Sequence, residues 1–189
     1  THSLGGLLVK KMLILAHEKS LRNARENQEV DYSDLVKNTT AVVFYSVPHK
    51  GSPLMDMMLQ PKDILINMGV ANGHPIVKWL LSNYPPSLEM NTKFGEIFGN
   101  CSLSLGETKK EPLEGLIDLD MGGMSEMLNL MFDDSGLIQI VPRESSNPGF
   151  GLFEEIKNCS HTVINKPTGM KDRRYLAMVE FVTKKCQGR

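Results

Sequence analysis

The chain has 189 residues, of which 41% are hydrophobic and 23% are charged, and its formal net charge is -1. This composition is typical of a globular domain with a sizeable core, and it excludes collagen-like, disordered and membrane-spanning classes. Because 21 basic residues are balanced by 22 acidic ones, no basic field favours binding to phosphates. We therefore expect no nucleic-acid partner.

The first half of the chain predicts a helix, a strand and a helical insertion. Residues 4–27 predict a helix, because Leu4, Leu8, Met12 and Leu15 recur at steps of three and four. The β-branched and aromatic run 41–47, ended by Pro48, is typical of a buried parallel strand. Residues 53–86 are rich in Met and Pro and predict an insertion with two short helices, after which Ser87 is expected to cap a helix that reaches Phe98.

The second half predicts two more strands and a closing helix. The alternating run 101–106 and the run 137–141 predict strands, and 171–185 predicts an amphipathic helix. Residues 107–136 carry most of the acidic and Gly-Met character and predict a surface insertion with a helix near 125–131. The element order indicates an α/β fold with a parallel sheet flanked by helices, and one domain over 1–189 with these two insertions.

The first candidate for chemistry is Ser3, which directly precedes the predicted first helix. The run Thr1-His2-Ser3-Leu4-Gly5-Gly6 fits a G-x-S-x-G nucleophile elbow with Thr in place of the first Gly. In that interpretation Ser3 is the nucleophile, and the Leu4 backbone N–H donates to the oxyanion at the start of the helix. The alternative is an ordinary helix N-cap followed by small packing residues.

Chain order supplies the candidate base. In α/β-hydrolases the nucleophile comes first, the acid follows a later strand, and the histidine comes last, in a loop before the final helix. Of the five histidines, only His161 lies in such a loop. We therefore expect His161 to be the general base.

Two glutamates compete for the role of the acid, which should follow a strand and hold the base imidazole. Glu107 comes directly after the strand 101–106, and Glu144 comes shortly after the run 137–141. Glu107 is favoured, and Glu144 remains the alternative. The three cysteines, Cys101, Cys159 and Cys186, match neither a zinc site nor a disulfide framework, so no metal and no cofactor is expected.

Four separated motifs, in order along nearly the whole chain, carry a family resemblance. They are SLGGLLVKK at 3–11, FYSVPHKGS at 44–52, VPRESSNPGFG at 141–151, and SHTVINKP at 160–167 followed by DRRY at 172–175. With them the chain resembles the serine active site containing protein family, which is a lipase-like group of α/β-hydrolases. The family pattern carries over to Ser3 and His161, and it implies a structural role beside the site for His49.

The resemblance implies a serine hydrolase of a lipid ester, active in phosphatidylglycerol remodelling and intracellular cholesterol trafficking. It also implies contact with a membrane surface and a location where mitochondria and endoplasmic reticulum meet. The alternative is a catalytically inactive hydrolase-fold scaffold, or a truncated product, at such a contact site. Because the nucleophile is at position 3, we expect the chain to be the carboxyl-terminal half of an α/β-hydrolase domain, without the strands that precede the elbow and the second oxyanion donor.

Overall fold

A computed structural model describes residues 1–26, 32–58, 78–112 and 137–187 of the chain. Within these ranges the α-helices are α1 (Leu4–Glu26), α2 (Ser33–Asn38), α3 (Pro53–Met58), α4 (Pro85–Phe98), α5 (Arg143–Ser146) and α6 (Arg173–Gln187), and a short 3-10 helix at Gly99–Cys101 follows α4. The strands are β1 (Val42–Tyr45), β2 (Ser102–Glu107), β3 (Glu111–Pro112), β4 (Leu137–Ile138) and β5 (Leu152–Ile156).

The main sheet of the described residues has three parallel strands in the order β1, β2, β5. Residues 1–3 run parallel to the other edge of β1. There the Tyr45 amide donates to the Thr1 carbonyl at 2.9 Å, and the Ser3 amide donates to the Tyr45 carbonyl at 3.0 Å. The prediction of an α/β fold with a parallel sheet flanked by helices is confirmed.

Hydrophobic side chains pack on both faces of the sheet. On one face Val42 and Phe44 join buried residues of α1 and α4, and on the other Leu103 and Leu105 join buried residues of β5 and α6. Val43 and Tyr45 contact the second cluster, so β1 alternates between the two faces as a period of two requires. This arrangement aligns the carboxyl ends of β1 and β2 beside Ser3.

Helix α1 forms as predicted, but a different face of it is buried. The buried apolar side chains are those of Leu7, Leu13, Ile14 and Ala16, whereas Leu8, Met12 and Leu15 are 55%, 49% and 40% exposed. The helix approaches the sheet through Gly6, whose missing side chain leaves room for Val47. Gly6 is itself buried, on the side of α1 that faces the core.

The third strand of the sheet is not the predicted one. Of the run 137–141 only Leu137–Ile138 is a strand, and it pairs antiparallel with β3 in a separate two-stranded sheet. The amides of Ile140 and Val141 donate to the Glu107 carboxylate, so they take no part in a strand ladder. The third parallel strand is β5, which the sequence did not predict because two glutamates occupy its centre.

The start of α4 is also corrected. Ser87 is not the N-cap, because the helix begins at Pro85 and its cap is Tyr84. Proline is well suited to the first helical positions, where its missing N–H needs no partner. The Ser87 hydroxyl donates instead to the Trp79 carbonyl at 3.0 Å.

Other predicted helices fall partly or wholly outside the described residues. Helix α3 occupies the start of the insertion predicted at 53–86, while 59–77 and the helix expected near 125–131 lie outside the described ranges. Helix α2 was not predicted. None of the helices in the described ranges is both long enough and apolar enough to cross a membrane.

Candidate active site

Ser3 lies at a sharp turn between the extended residues beside β1 and the first turn of α1. Its φ is +50°, a left-handed conformation that a residue with a side chain seldom adopts, and its amide is fixed to the Tyr45 carbonyl. Backbone strain of this kind occurs at functional sites, where the surrounding structure holds the residue in place. The turn therefore has the strand-to-helix geometry that the sequence predicted for an elbow.

The two glycines after Ser3 allow this turn to pack closely. A Cβ added at Gly6 would overlap the Val47 side chain, and one added at Gly5 would lie 3.2 Å from the Thr1 hydroxyl oxygen. The contact at Gly6 is thus much closer than the one at Gly5.

His161 lies in the loop between β5 and α6 and is 7% exposed. Its Nε2 is 3.0 Å from the Ser3 Oγ, and its Nδ1 is 2.7 Å from the Glu107 Oε2. Because a carboxylate only accepts, Nδ1 carries the proton, and Nε2 is free to accept from the Ser3 hydroxyl. The structure thus joins Ser3, His161 and Glu107 in one chain of hydrogen bonds.

Glu107 is the last residue of β2 and is fully buried. While Oε2 accepts from His161, Oε1 accepts from the Ile140 and Val141 amides at 2.9 and 3.0 Å. Three donors thus surround the carboxylate and hold its orientation relative to the imidazole. Glu144, the alternative acid, is exposed on α5 and has no contact with His161 among the described residues.

Several hydrogen bonds fix the loop that carries His161. The Cys159 carbonyl accepts from the Thr108 and Lys109 amides, both at 3.0 Å, which attaches the loop to the residues after β2. Arg174, at the start of α6, donates to the Val163 carbonyl and pairs with Asp172. Its guanidinium holds the pKa of Asp172 well below its usual range.

The Leu4 amide lies in the first turn of α1, directly after Ser3. The next two amides, of Gly5 and Gly6, donate to the carbonyls of His2 and Ser3. Within the described part of the chain the Leu4 amide has no backbone acceptor. It could therefore donate to a developing negative charge beside Ser3, and its role as an oxyanion donor stays a prediction.

His2 contacts the candidate base, a contact that the sequence analysis did not predict. Its Nε2 lies 3.0 Å from the His161 carbonyl oxygen, and the two rings are tilted by 42° with centroids 4.7 Å apart. Burial, and then the nearby His161, lower the pKa of His2. The only available signal was its position next to the nucleophile.

His49 lies in a separate buried cluster and does not contact Ser3. Its Nδ1 accepts from the Lys10 ammonium at 2.6 Å, and its Nε2 is 3.3 Å from the Ser104 hydroxyl oxygen. Burial lowers the pKa of His49 well below its ordinary value. This placement agrees with the structural role that the resemblance implied.

The described residues contain no group of three or more His, Cys, Asp or Glu side chains that could hold a metal ion. No disulfide bond joins Cys101, Cys159 or Cys186 within the part of the chain that the structure describes. Burial raises the pKa of Cys159, which disfavours its reactive thiolate.

Comparison with known proteins finds relatives that share one name. Protein SERAC1 of Mus musculus is 43% identical over 182 residues, which is 96% of this chain and 23% of the relative. Protein SERAC1 of Bos taurus is 38% identical over 184 residues, which is 96% of this chain and 23% of the relative. Protein SERAC1 of Danio rerio is 28% identical over 191 residues, which is 100% of this chain and 24% of the relative.

The chain spans about a quarter of the length of these curated relatives. No family model and no solved structure matches the chain.

Proposed function

Since the chain is similar over nearly all its residues to proteins named for a serine active site, we propose that it carries the catalytic residues of an α/β-hydrolase. Ser3 is the nucleophile, His161 the general base and Glu107 the acid. The observation that supports this best is the hydrogen-bond chain from Ser3 Oγ to His161 Nε2, at 3.0 Å, and from His161 Nδ1 to Glu107, at 2.7 Å.

In the acylation step, Ser3 Oγ attacks the carbonyl carbon of an ester while its proton moves to His161 Nε2. Glu107 stabilises the imidazolium through Nδ1–H, and the two backbone amides on its other oxygen keep it in place. The tetrahedral intermediate collapses when the bond to the leaving alcohol breaks and His161 returns the proton to that alcohol. The product is an acyl-enzyme on Ser3.

In the deacylation step, water donates a proton to His161 Nε2, and the resulting hydroxide attacks the acyl carbonyl carbon. The bond between that carbon and Ser3 Oγ then breaks, and Oγ takes the proton back from Nε2. The fatty acid leaves, and the free enzyme is restored. In both steps the Leu4 amide donates to the oxyanion, assisted by the positive end of the α1 dipole.

The substrate that we propose is a lipid ester, which requires the enzyme to meet a membrane surface. The support is the family resemblance, which also points to phosphatidylglycerol remodelling, cholesterol trafficking and a location where mitochondria and endoplasmic reticulum meet. A direct test compares fatty-acid release from phosphatidylglycerol vesicles and from phosphatidylcholine vesicles. Faster release from phosphatidylglycerol supports this substrate, and equal release from both contradicts it.

The enzyme proposal is tested by labelling the intact protein with a fluorophosphonate, which modifies activated serines. Ser3→Ala removes the nucleophile and is expected to abolish labelling. Ser20→Ala is the matched control, because the Ser20 hydroxyl donates only to the His17 carbonyl within α1. Full labelling of this control is expected.

The same experiment distinguishes an active serine hydrolase from an inactive scaffold. A wild-type protein that is folded by circular dichroism but takes up no label contradicts the enzyme proposal. Labelling that persists in Ser3→Ala contradicts the assignment of the nucleophile.

A further inference from the structure

His2 links the nucleophile turn to the base loop through a hydrogen bond that includes none of the reacting atoms. Its Nε2 donates to the His161 backbone carbonyl at 3.0 Å, since a carbonyl oxygen can only accept. Its ring lies against the His161 ring, with 4.7 Å between the centroids. The contact therefore holds both the backbone and one side of the imidazole of His161.

The backbone of His2 is itself fixed. Its neighbours Thr1 and Ser3 both bond to Tyr45 of β1, and its carbonyl accepts from the Gly5 amide at 3.0 Å. His2 is thus held between the sheet and the first turn of α1. Because its backbone is attached to the sheet, the His2 side chain can hold the loop that it contacts at a fixed position relative to the sheet.

This second connection matters because the direct one is lost during the reaction. The bond between His161 Nε2 and the Ser3 hydroxyl exists in the free enzyme, but Ser3 Oγ carries no proton once it is acylated. At that stage His161 has to orient a water molecule without the help of Ser3. The bond from His2 to the His161 carbonyl is unaffected by acylation.

Burial and the charges around His2 favour its neutral form, in which Nε2–H is the donor. Burial and the adjacent His161 lower its pKa, and Lys166 adds to this, while the bond to the His161 carbonyl and Glu107 act in the opposite direction. The net shift is downward. A neutral His2 does not repel the positive charge that His161 acquires in each step.

We propose that His2 is a positioning residue that keeps His161 in its catalytic orientation after Ser3 has been acylated. The inference rests on the proposed function and adds a specific role to it. It requires that loss of the His2 donor slows deacylation more than acylation. A small displacement of a catalytic group can cost up to about 100-fold in rate.

The test is pre-steady-state hydrolysis of a short-chain p-nitrophenyl ester by the intact protein. In His2→Phe, which keeps a ring but no donor, we expect the deacylation rate constant to fall about tenfold, with a smaller effect on acylation. The acyl-enzyme then accumulates, so kcat and KM fall together. His2→Gln, whose amide N–H replaces Nε2–H, is expected to recover part of the deacylation rate.

His17→Phe is the matched control, because His17 lies on α1 against Phe98. Its rate constants are expected to equal those of the wild type. Deacylation at the wild-type rate in His2→Phe overturns the inference, as does an equal loss of both steps. A wild-type protein that forms no acyl-enzyme contradicts the proposed function itself, which is a distinct result.

Discussion

The Lys10 ammonium donates to His49 Nδ1 at 2.6 Å, and both side chains are fully buried between α1 and the sheet. Asn91 accepts a second hydrogen bond from Lys10 at 2.5 Å. The rings of Phe44, Phe94 and Phe150 lie 5.2 to 5.4 Å from the nitrogen. Burial lowers the pKa of Lys10 and of His49 well below their ordinary values.

This cluster predicts a loss of stability in mild acid. The unfolded chain binds a proton at His49 near the ordinary pKa of 6.5, whereas the folded chain does not. Stability therefore falls as the pH drops below 6.5, with a slope from this residue of up to about 1.4 kcal/mol per pH unit. In His49→Asn, which keeps an acceptor for Lys10, the free energy of unfolding measured in urea should depend less steeply on pH. An unchanged pH dependence would contradict the assignment of this effect to His49.

The contact of Gly6 with Val47 predicts that this glycine cannot be replaced without cost. Gly6→Ala places a methyl group on the Val47 side chain, and such overpacking costs about 1 to 3 kcal/mol. Gly5→Ala is the control, because the nearest atom is the Thr1 hydroxyl oxygen at 3.2 Å, on an exposed residue. In thermal unfolding, the Tm of Gly6→Ala should be clearly lower than the Tm of Gly5→Ala. Equal stabilities would show that α1 does not pack this closely.

The bond between Glu107 and His161 predicts which carboxylate supports catalysis. Glu107→Gln keeps the shape of the side chain but removes the charge that stabilises the imidazolium, so kcat should fall by about 10² to 10⁴-fold. Glu144→Gln changes an exposed residue and should leave kcat as it is. Steady-state ester hydrolysis measures both. Comparable losses in the two variants would disprove the assignment of the acid.

Arg174 is predicted to stabilise the loop that carries His161. Arg174→Lys loses the guanidinium that joins the Val163 carbonyl to Asp172, and a lysine lacks the paired donors needed to replace it. We expect faster hydrogen exchange at residues 159–165 and a lower kcat. Arg173→Lys is the control, since Arg173 pairs with Glu154 and Glu180 at the surface. Equal exchange in both variants would contradict the role of Arg174.

The motif around Ser3 and the chain order were enough to propose Ser3 and His161 and to limit the acid to Glu107 or Glu144, because the carboxyl ends of parallel strands lie at one edge. The choice between Glu107 and Glu144 needed the structure, since both follow a strand-like run. What separates them is the burial of Glu107 and its bonds to two amides after β4.

Strand β5 and the His2 contact could not be predicted from local pattern. The two glutamates at the centre of β5 pair with arginines, Glu154 with Arg173 and Glu155 with Arg143, and these partners are distant in sequence. The contact of His2 with His161 spans 159 positions, and no periodicity indicates it. Both features depend on tertiary contacts.

The most direct test of the central claim is the site of phosphonate attachment, found by mass spectrometry after the intact protein reacts with a fluorophosphonate. A nucleophile at Ser3 activated by His161 predicts one adduct, on the peptide that contains Ser3, and at least about 100-fold slower labelling in His161→Asn. An adduct on another serine, or labelling of Ser3 at the same rate in His161→Asn, would contradict the account.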